Sequence, residues 1–220
     1  MVFSPMPIRI LIVDDHPLVR SGLKGLLAGQ ADFEICGEAE TVAQAREVVG
    51  KTKLDVAIID LTLKDGNGIE LIKEFKAAHS GLKMLALSMH DESLFAERAL
   101  RAGALGYVNK QAASRTIIRA VRTILTGKLH LSPEMTQRMV QRAFSAGGSG
   151  SRSPLEALTD RELEVFEMIG HAMTSREIAT RLNLSPKTVE THREHIKEKL
   201  ELKNAAELTQ HAVQWILEKH

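Results

Sequence analysis

The stretch Ile8-Arg-Ile-Leu-Ile-Val13, closed at once by Asp14-Asp15-His16-Pro17, decides the fold. A short, almost unbroken apolar run reads as a strand buried on both faces, and the proline after it opens a pattern with helical spacing. The same rhythm returns through the first ~125 residues. It predicts strands at Ile8 to Val13, Phe33 to Ala39, Val56 to Asp60, Lys83 to Leu87 and Tyr107 to Asn109. Helices are predicted between and after them at Pro17 to Ala28, Val42 to Val49, Ile69 to His79, Ser93 to Arg101 and Ser114 to Leu125. Repeated βα units make an α/β fold, a doubly wound five-stranded parallel sheet, and such sheets place their chemistry at the strand C-termini.

Past Gly127 the rhythm stops. Ser132-Pro133-Glu134 starts one more helix, to about Phe144, and the glycine- and serine-rich run from Ser145 to Pro154 reads as a flexible linker. The C-terminal remainder has no strand pattern and repeated helix starts: capping boxes at Thr159/Glu162 and Thr174/Glu177, Ser185 before Pro186, and Asn204 to Glu207. The expected organisation is therefore a domain at 1–127, a linker helix and linker at 128–155, and an all-α, four-helix domain at 156–220.

Composition excludes several classes. The run Ile10 to Val13 is too short to span a bilayer and nothing resembles a signal peptide, so no membrane and a cytoplasmic location are expected. A single cysteine, Cys36, rules out an internal disulfide or a cysteine zinc site and reads as a small buried strand residue. The nine histidines show no metal-ligand spacing. Net charge is +1, and from Pro154 onward nine Lys/Arg face twelve Asp/Glu, so charge offers no argument for nucleic acid.

Chemistry is expected where strands end. Asp14 and Asp15 follow the first strand, Asp60 closes the third, Ser88 follows the fourth and Lys110 the fifth. Converging carboxylates repel unless a cation neutralises them, and hard oxygen ligands suit Mg²⁺. Each Asp alone reads as a solvated turn residue. A hydroxyl and an ammonium beside a carboxylate and Mg²⁺ form a phosphoryl site in which the carboxylate attacks.

The segment from Ile10 to Arg20, with Asp60-Leu61, Ser88 and Gly103-Ala-Leu-Gly-Tyr-Val-Asn-Lys110, resembles a bacterial response-regulator receiver of the NarL/FixJ class, a flavodoxin-like domain. The resemblance implies that Asp60 accepts a phosphoryl group from a sensor histidine kinase, and that Asp14, Asp15, Asp60 and the Thr62 main-chain carbonyl hold Mg²⁺. It implies that Ser88 and Lys110 contact the phosphoryl group, with Ser88 and Tyr107 as the switch; an aromatic in a short buried strand also reads simply as core. One departure stands out: where the family commonly has Met-Pro after the acceptor, this chain has Leu63-Lys64, with an expected effect on the rate of gaining or losing phosphate.

In the second domain, helical spacing puts Ile196 and Leu200 each within about 20° of Val189, a core face, with Lys187, Thr191, Glu194 and Glu198 opposite. A short helix at Ser175 to Leu182, a tight turn and a second helix from Pro186 direct that second helix's N-terminal end into a major groove. Leu158 to Val165, Arg176 to Ala179, Leu184 to His192 and Lys199-Leu200 resemble the LuxR-type helix-turn-helix. By that resemblance Lys187, Glu190, Thr191 and Glu194 face double-stranded DNA, with Thr188 and Arg176 nearer phosphates, and His195 stands where the family often has asparagine. Carboxylates accept from cytosine N4 but repel phosphates, so binding is expected to need a homodimer formed on activation. Leu208, Ala212, Trp215 and Ile216 form an apolar stripe that reads equally as core or as the dimer interface.

The reading is a transcriptional response regulator and not an enzyme. An aspartate-nucleophile phosphatase would have Asp-x-Asp at the first strand end, where position 16 is His. A DNA binder controlled without phosphorylation would have no need of all five of Asp14, Asp15, Asp60, Ser88 and Lys110.

Overall fold

The computed structural model describes residues 6–90, 92–112, 114–145 and 154–217, and the chain divides into two compact units, Met1–Phe144 and Ser145–His220. The glycine- and serine-rich residues 146–153, expected as a linker, lie outside the described residues. The first unit has strands β1 (Ile8–Val13), β2 (Phe33–Ala39), β3 (Val56–Asp60), β4 (Thr62–Leu63), β5 (Gly66–Asn67), β6 (Lys83–Ser88) and β7 (Gly106–Asn109). Its helices are α1 (Pro17–Ala28), α2 (Val42–Lys51), α3 (Gly68–Ala78), α4 (Glu92–Ala102), α5 (Ser114–Leu125) and α6 (Pro133–Ser145).

Five strands form the parallel sheet in the order β2-β1-β3-β6-β7. Ile10, Ile12, Ile58, Leu85, Leu87 and Val108 pack with Leu23 and Leu27 of α1 and Ile117, Val121 and Ile124 of α5. The alternate residues Leu11, Ala57, Ile59 and Met84 are also buried, on the opposite face, which is why these strands read as continuous apolar runs. Each such side chain contributes roughly 1.5–3 kcal/mol when fully buried. The strand order reverses between β1 and β3, so a crevice opens at their C-terminal ends, where Asp14 and Asp60 sit.

Two details depart from expectation. Cys36 is half-buried, because the β1–β2 register passes from Ile10 opposite Ile35 to Leu11 opposite Gly37 and leaves Cys36 as the extra residue of a bulge on an edge strand. There its sulfur accepts from Arg9 Nε at 3.4 Å. The stretch after Asp60, given no element in the sequence pattern, folds as a small antiparallel ribbon in which Thr62 pairs Asn67 and Leu63 pairs Gly66, with Lys64-Asp65 at the tip. Asp65 docks this tip by accepting from the Val42 and Ala43 amides at 2.8 and 3.3 Å, at the N-terminus of α2. The residues leading into α6 are tied to β7 and α4: Tyr107 N donates to the His130 carbonyl at 3.0 Å, and Ser132 N to Glu92 Oε1 at 2.9 Å.

The second unit has α7 (Asp160–Gly170), α8 (Ser175–Arg181), α9 (Pro186–Lys199) and α10 (Ala205–Leu217) after a short 3₁₀ turn at Pro154–Ala157. Both capping boxes form, Thr159 with Glu162 and Thr174 with Glu177. Leu163, Phe166, Ile178, Val189, Ile196, Leu208 and Ala212 build one core. Among the described residues no helix is long and apolar enough to cross a membrane.

Candidate functional site

Asp14 lies directly beyond β1 and Asp60 at the end of β3, neighbouring strands, so backbone pairing alone brings their carboxylates together. Lys110, just past β7, reaches across to both: its Nζ lies 2.6 Å from Asp60 Oδ2 and 2.7 Å from Asp14 Oδ2. The first contact is a well-formed hydrogen bond. The second is close but lacks hydrogen-bond direction, which leaves the buried Asp14 Oδ2 without a hydrogen-bond partner, as is Asp15 Oδ1. Asp60 is 2% exposed, and burial, with Asp14 beside it, pushes its carboxyl up to about 7 although Lys110 and the Thr62 amide pull it down. Burial works against the Lys110 ammonium, but Asp60 and Asp14 outweigh it, and its pKa is raised. Lys110 thus serves a pocket rimmed by Asp14, Asp15 and Asp60, and Lys64 Nζ reaches its edge, 3.5 Å from the Asp15 carbonyl oxygen.

Ser88 is fully buried at the end of β6, and its Oγ accepts from the His90 amide at 3.0 Å. The Tyr107 ring is buried and its hydroxyl donates to the His90 carbonyl at 2.8 Å. The His90 ring stacks on Phe95, centroids 4.5 Å apart, and its Nε2 lies 2.8 Å from Thr62 Oγ1. The Thr62 amide donates to Asp60 Oδ1 at 3.2 Å. Backbone contacts of the segment after Ser88 therefore bind both the hydroxyl and the aromatic, which ties the two sides of the crevice together.

Three further residues shape the site. Arg20 of α1 donates to the Asp14 carbonyl at 2.7 Å and to Glu40 Oε1 at 3.0 Å, fixing the loop that carries Asp14. Gly68, the first residue of α3, donates to the Leu61 carbonyl at 2.8 Å and packs its Cα hard against the Asp60 backbone. His16 joins the carboxylates: one ligand atom each from Asp14, Asp15, His16 and Asp60 lies within 4.8 Å of the others. Arg20 closes the segment on which the receiver resemblance stands, but nothing in its spacing marks it as a support of Asp14. His16 carries no spacing signal, because its partner Asp60 is distant in sequence.

In the second unit, α8 is capped at Leu182, and Asn183 turns the chain with φ 52°, a left-handed conformation asparagine tolerates. Leu184 N closes the turn on the Ala179 carbonyl at 2.8 Å, and the Ser185 hydroxyl caps α9 at the Thr188 amide. Arg161 locks α7 to this turn by donating to the Leu182 carbonyl at 2.8 Å, and Lys199 Nζ meets Glu162 at 2.6 Å. Val189 and Ile196 are buried, whereas Arg176, Lys187, Glu190, Thr191, Glu194 and His195 are exposed and Thr188 is half-buried. Glu190 sits 3.8 Å from Arg193 Nε and Glu194 2.8 Å from Lys197 Nζ, so each carboxylate has a cation one turn along the helix.

Residues 10–122 match the response regulator receiver domain, and residues 156–212 match the bacterial regulatory proteins of the luxR family. The response regulator GacA of Pseudomonas protegens is 34% identical over 206 residues, 94% of this chain and 95% of GacA. The oxygen regulatory protein NreC of Staphylococcus carnosus is 35% identical over 209 residues, 93% of this chain and 96% of NreC. The chain belongs to the NarL/FixJ-class response regulators. Among solved structures, RcsB of Salmonella enterica serovar Typhimurium, bound to promoter rprA in the presence of the phosphomimetic BeF3−, aligns with a TM-score of 0.62 at 27% identity over 94% of this chain and 98% of RcsB.

In this response regulator the apolar stripe of α10 divides into a part packed within its own unit and a part that is only half-buried. Leu208 and Ala212 are fully buried in their own unit, because α10 packs so closely on α7 that a Cβ on Gly170 would lie 2.7 Å from the Ala212 carbonyl oxygen. Trp215 and Ile216 are half-buried, with the Trp215 ring edge-on to Phe166 at 6.0 Å. The regulator's carboxylate pocket fits a divalent cation: two buried carboxylate oxygens there lack hydrogen-bond partners, and hard oxygen donors predominate.

Proposed function

We propose that this regulator is switched by phosphorylation of Asp60 and then binds promoter DNA as a dimer. The observation that carries the reading is Lys110 held between the buried Asp14 and Asp60 carboxylates, in a pocket where Asp14 Oδ2 and Asp15 Oδ1 have no hydrogen-bond partner. Asp14, Asp15, Asp60 and the Thr62 carbonyl would hold Mg²⁺, which when bound neutralises charge on the phosphoryl oxygens. An Asp60 oxygen attacks the phosphorus of a sensor kinase's phosphohistidine, the N–P bond breaks, and the imidazole leaves with its electron pair and takes up a proton. Lys110 turns its ammonium from carboxylate to phosphoryl oxygen, and the Ser88 hydroxyl donates to another.

When Ser88 moves toward the phosphoryl group, the His90 amide loses its acceptor, and the Tyr107 hydroxyl on the His90 carbonyl follows. This is the proposed switch. Lys187, Glu190, Thr191 and Glu194 meet base edges, with Thr188 and Arg176 at phosphates. The pairing of Glu190 and Glu194 with Arg193 and Lys197 lowers their repulsion of phosphates without making the helix basic, so paired half-sites and a homodimer supply affinity. RcsB, a relative by structure, has been solved as two dimers bound to two parallel DNAs. A cytoplasmic location is part of the same reading.

Incubation of the full chain with Mg²⁺ and acetyl phosphate, followed by intact mass, tests it. The parent should gain one phosphoryl group and Asp60→Ala none; no gain in the parent, or an equal gain in the variant, would overturn the reading.

A further inference from the structure

His16 places an imidazole in a pocket otherwise lined by carboxylate oxygens and the Lys110 ammonium. It occupies the position before α1 where a short polar side chain would cap the helix, yet its ring makes no capping hydrogen bond. Its amide donates to Asp14 Oδ1 at 2.8 Å, which anchors the backbone beside the carboxylates. The ring is turned the same way: Nδ1 lies 2.6 Å from Asp15 Oδ1 and 3.4 Å from Asp14 Oδ1, with 64% of the side chain exposed.

The contact with Asp15 is short, an ion pair when the ring is protonated, and Asp15 Oδ1 has no hydrogen-bond partner. An ordinary histidine–carboxylate pair would be a directed hydrogen bond. Neighbouring ligands of an octahedral ion with metal–ligand distances of about 2.1 Å lie roughly 3.0 Å apart, so Nδ1 and Asp15 Oδ1, 2.6 Å apart, need to part only slightly to share one ion. The four donor atoms of Asp14, Asp15, His16 and Asp60 span at most 4.8 Å. Opposite ligands of an octahedral ion are roughly 4.2 Å apart, twice a metal–ligand distance of about 2.1 Å. Adjustment by about half an ångström, which an exposed ring accommodates, would close the set.

We propose that His16 is an additional ligand of the divalent-cation site, giving it a preference for borderline first-row cations such as Co²⁺, Ni²⁺ and Zn²⁺ over Mg²⁺. The inference rests on the reading that Asp14, Asp15 and Asp60 hold a divalent cation. Carboxylates alone suit Mg²⁺, and one imidazole shifts a site toward the metals that bind nitrogen well. The site then answers to the metal composition of its surroundings as well as to phosphoryl donors, since a cation held partly by His16 occupies the pocket that Asp60 uses.

The test uses the full chain and His16→Gln, an exposed substitution with folding checked by circular dichroism. Co²⁺ is titrated calorimetrically and by its visible absorption, and only the part displaced by excess Mg²⁺ is counted, which removes binding by other histidines. Mg²⁺ affinity is taken from competition against Mn²⁺ followed by electron paramagnetic resonance. The ratio of Co²⁺ to Mg²⁺ affinity should fall by on the order of tenfold or more in His16→Gln, with a shift in the Co²⁺ bands as nitrogen leaves the coordination shell. A ratio unchanged within about twofold with unshifted bands, while Mg²⁺ still binds both proteins, overturns the role of His16 alone. Absence of any Mg²⁺-displaceable site in the parent overturns it together with the cation-site reading beneath it.

Discussion

Replacement of Gly68 by alanine pits two effects against each other. Alanine is better than glycine inside a helix by about 1 kcal/mol, and Gly68 begins α3, so propensity alone favours the change. A Cβ at Gly68, however, would lie 2.1 Å from the Asp60 carbonyl oxygen, 2.7 Å from Leu61 Cα and 2.9 Å from the Asp60 carbonyl carbon. All are backbone atoms, so no rotamer change relieves them, and ordinary carbon contacts are at about 3.5–4.0 Å. The start of α3 or the end of β3 must therefore shift by about 1 Å. Overpacking of this kind costs typically 1–3 kcal/mol and occasionally more, and the absence of a yielding side chain puts this case at or above the top of that range. The net loss is expected to be about 2 kcal/mol or more. The shift falls on Asp60 itself, and a misplacement of about 1 Å costs on the order of 10²-fold in rate.

Denaturation followed by circular dichroism, with the single Trp215 reporting the second unit separately, measures the first quantity; phosphoryl incorporation from acetyl phosphate measures the second. Gly66→Ala is the control, since its Cβ would meet only the Val42 side chain, Cγ2 at 2.9 Å and Cβ at 3.8 Å, and no backbone atom, and should cost less than about 1 kcal/mol. Stability of Gly68→Ala within about 0.5 kcal/mol of the parent, with an unchanged phosphorylation rate, would refute the argument.

The same pocket and its neighbours support further tests. Lys110→Met removes the only ammonium in contact with both Asp14 and Asp60 among the described residues, which should destabilise the metal-free protein by about 3–5 kcal/mol; added Mg²⁺ should raise its Tm more than the parent's, and equal shifts would argue against a shared charge-neutralising role. Tyr107→Phe removes the bond to the His90 carbonyl and should cost about 0.5–1.5 kcal/mol in denaturation, whereas an unchanged midpoint would mean that the bond contributes nothing. Burial acts to raise the Glu162 carboxyl, but Lys199 and the Thr159 amide hold it below its ordinary value, so its stabilisation is present above the unfolded value and lost as pH falls through the folded one. Glu162→Gln should flatten the acid loss of stability reported by Trp215 fluorescence below about pH 4.5, and a profile parallel to the parent's would contradict this.

The sheet was legible because Ile10 to Val13, Val56 to Ile59 and Met84 to Leu87 are buried on both faces, a pattern no exposed strand shares. The carboxylates and Lys110 were legible because strand ends converge in a doubly wound sheet. The ribbon after Asp60 was not, since its two-residue arms carry no period and are held by Asp65 reaching α2, a contact between distant segments. Nor was the inward face of α10: a stripe at helical spacing looks the same whether its partner is α7 or another chain, and only the close approach at Gly170 separates the two for Leu208 and Ala212. Cys36 was misplaced because a bulge shifts register without leaving a mark in hydrophobicity.

The central claim is that phosphate on Asp60 governs DNA binding. The most direct measurement is capture of sheared genomic DNA from the source organism on the full chain, with and without Mg²⁺ and acetyl phosphate, in the parent and in Asp60→Ala. Discrete fragments should be enriched by the phosphorylated parent and lost in Asp60→Ala under the same conditions. Equal enrichment of the same fragments by both proteins would contradict the account.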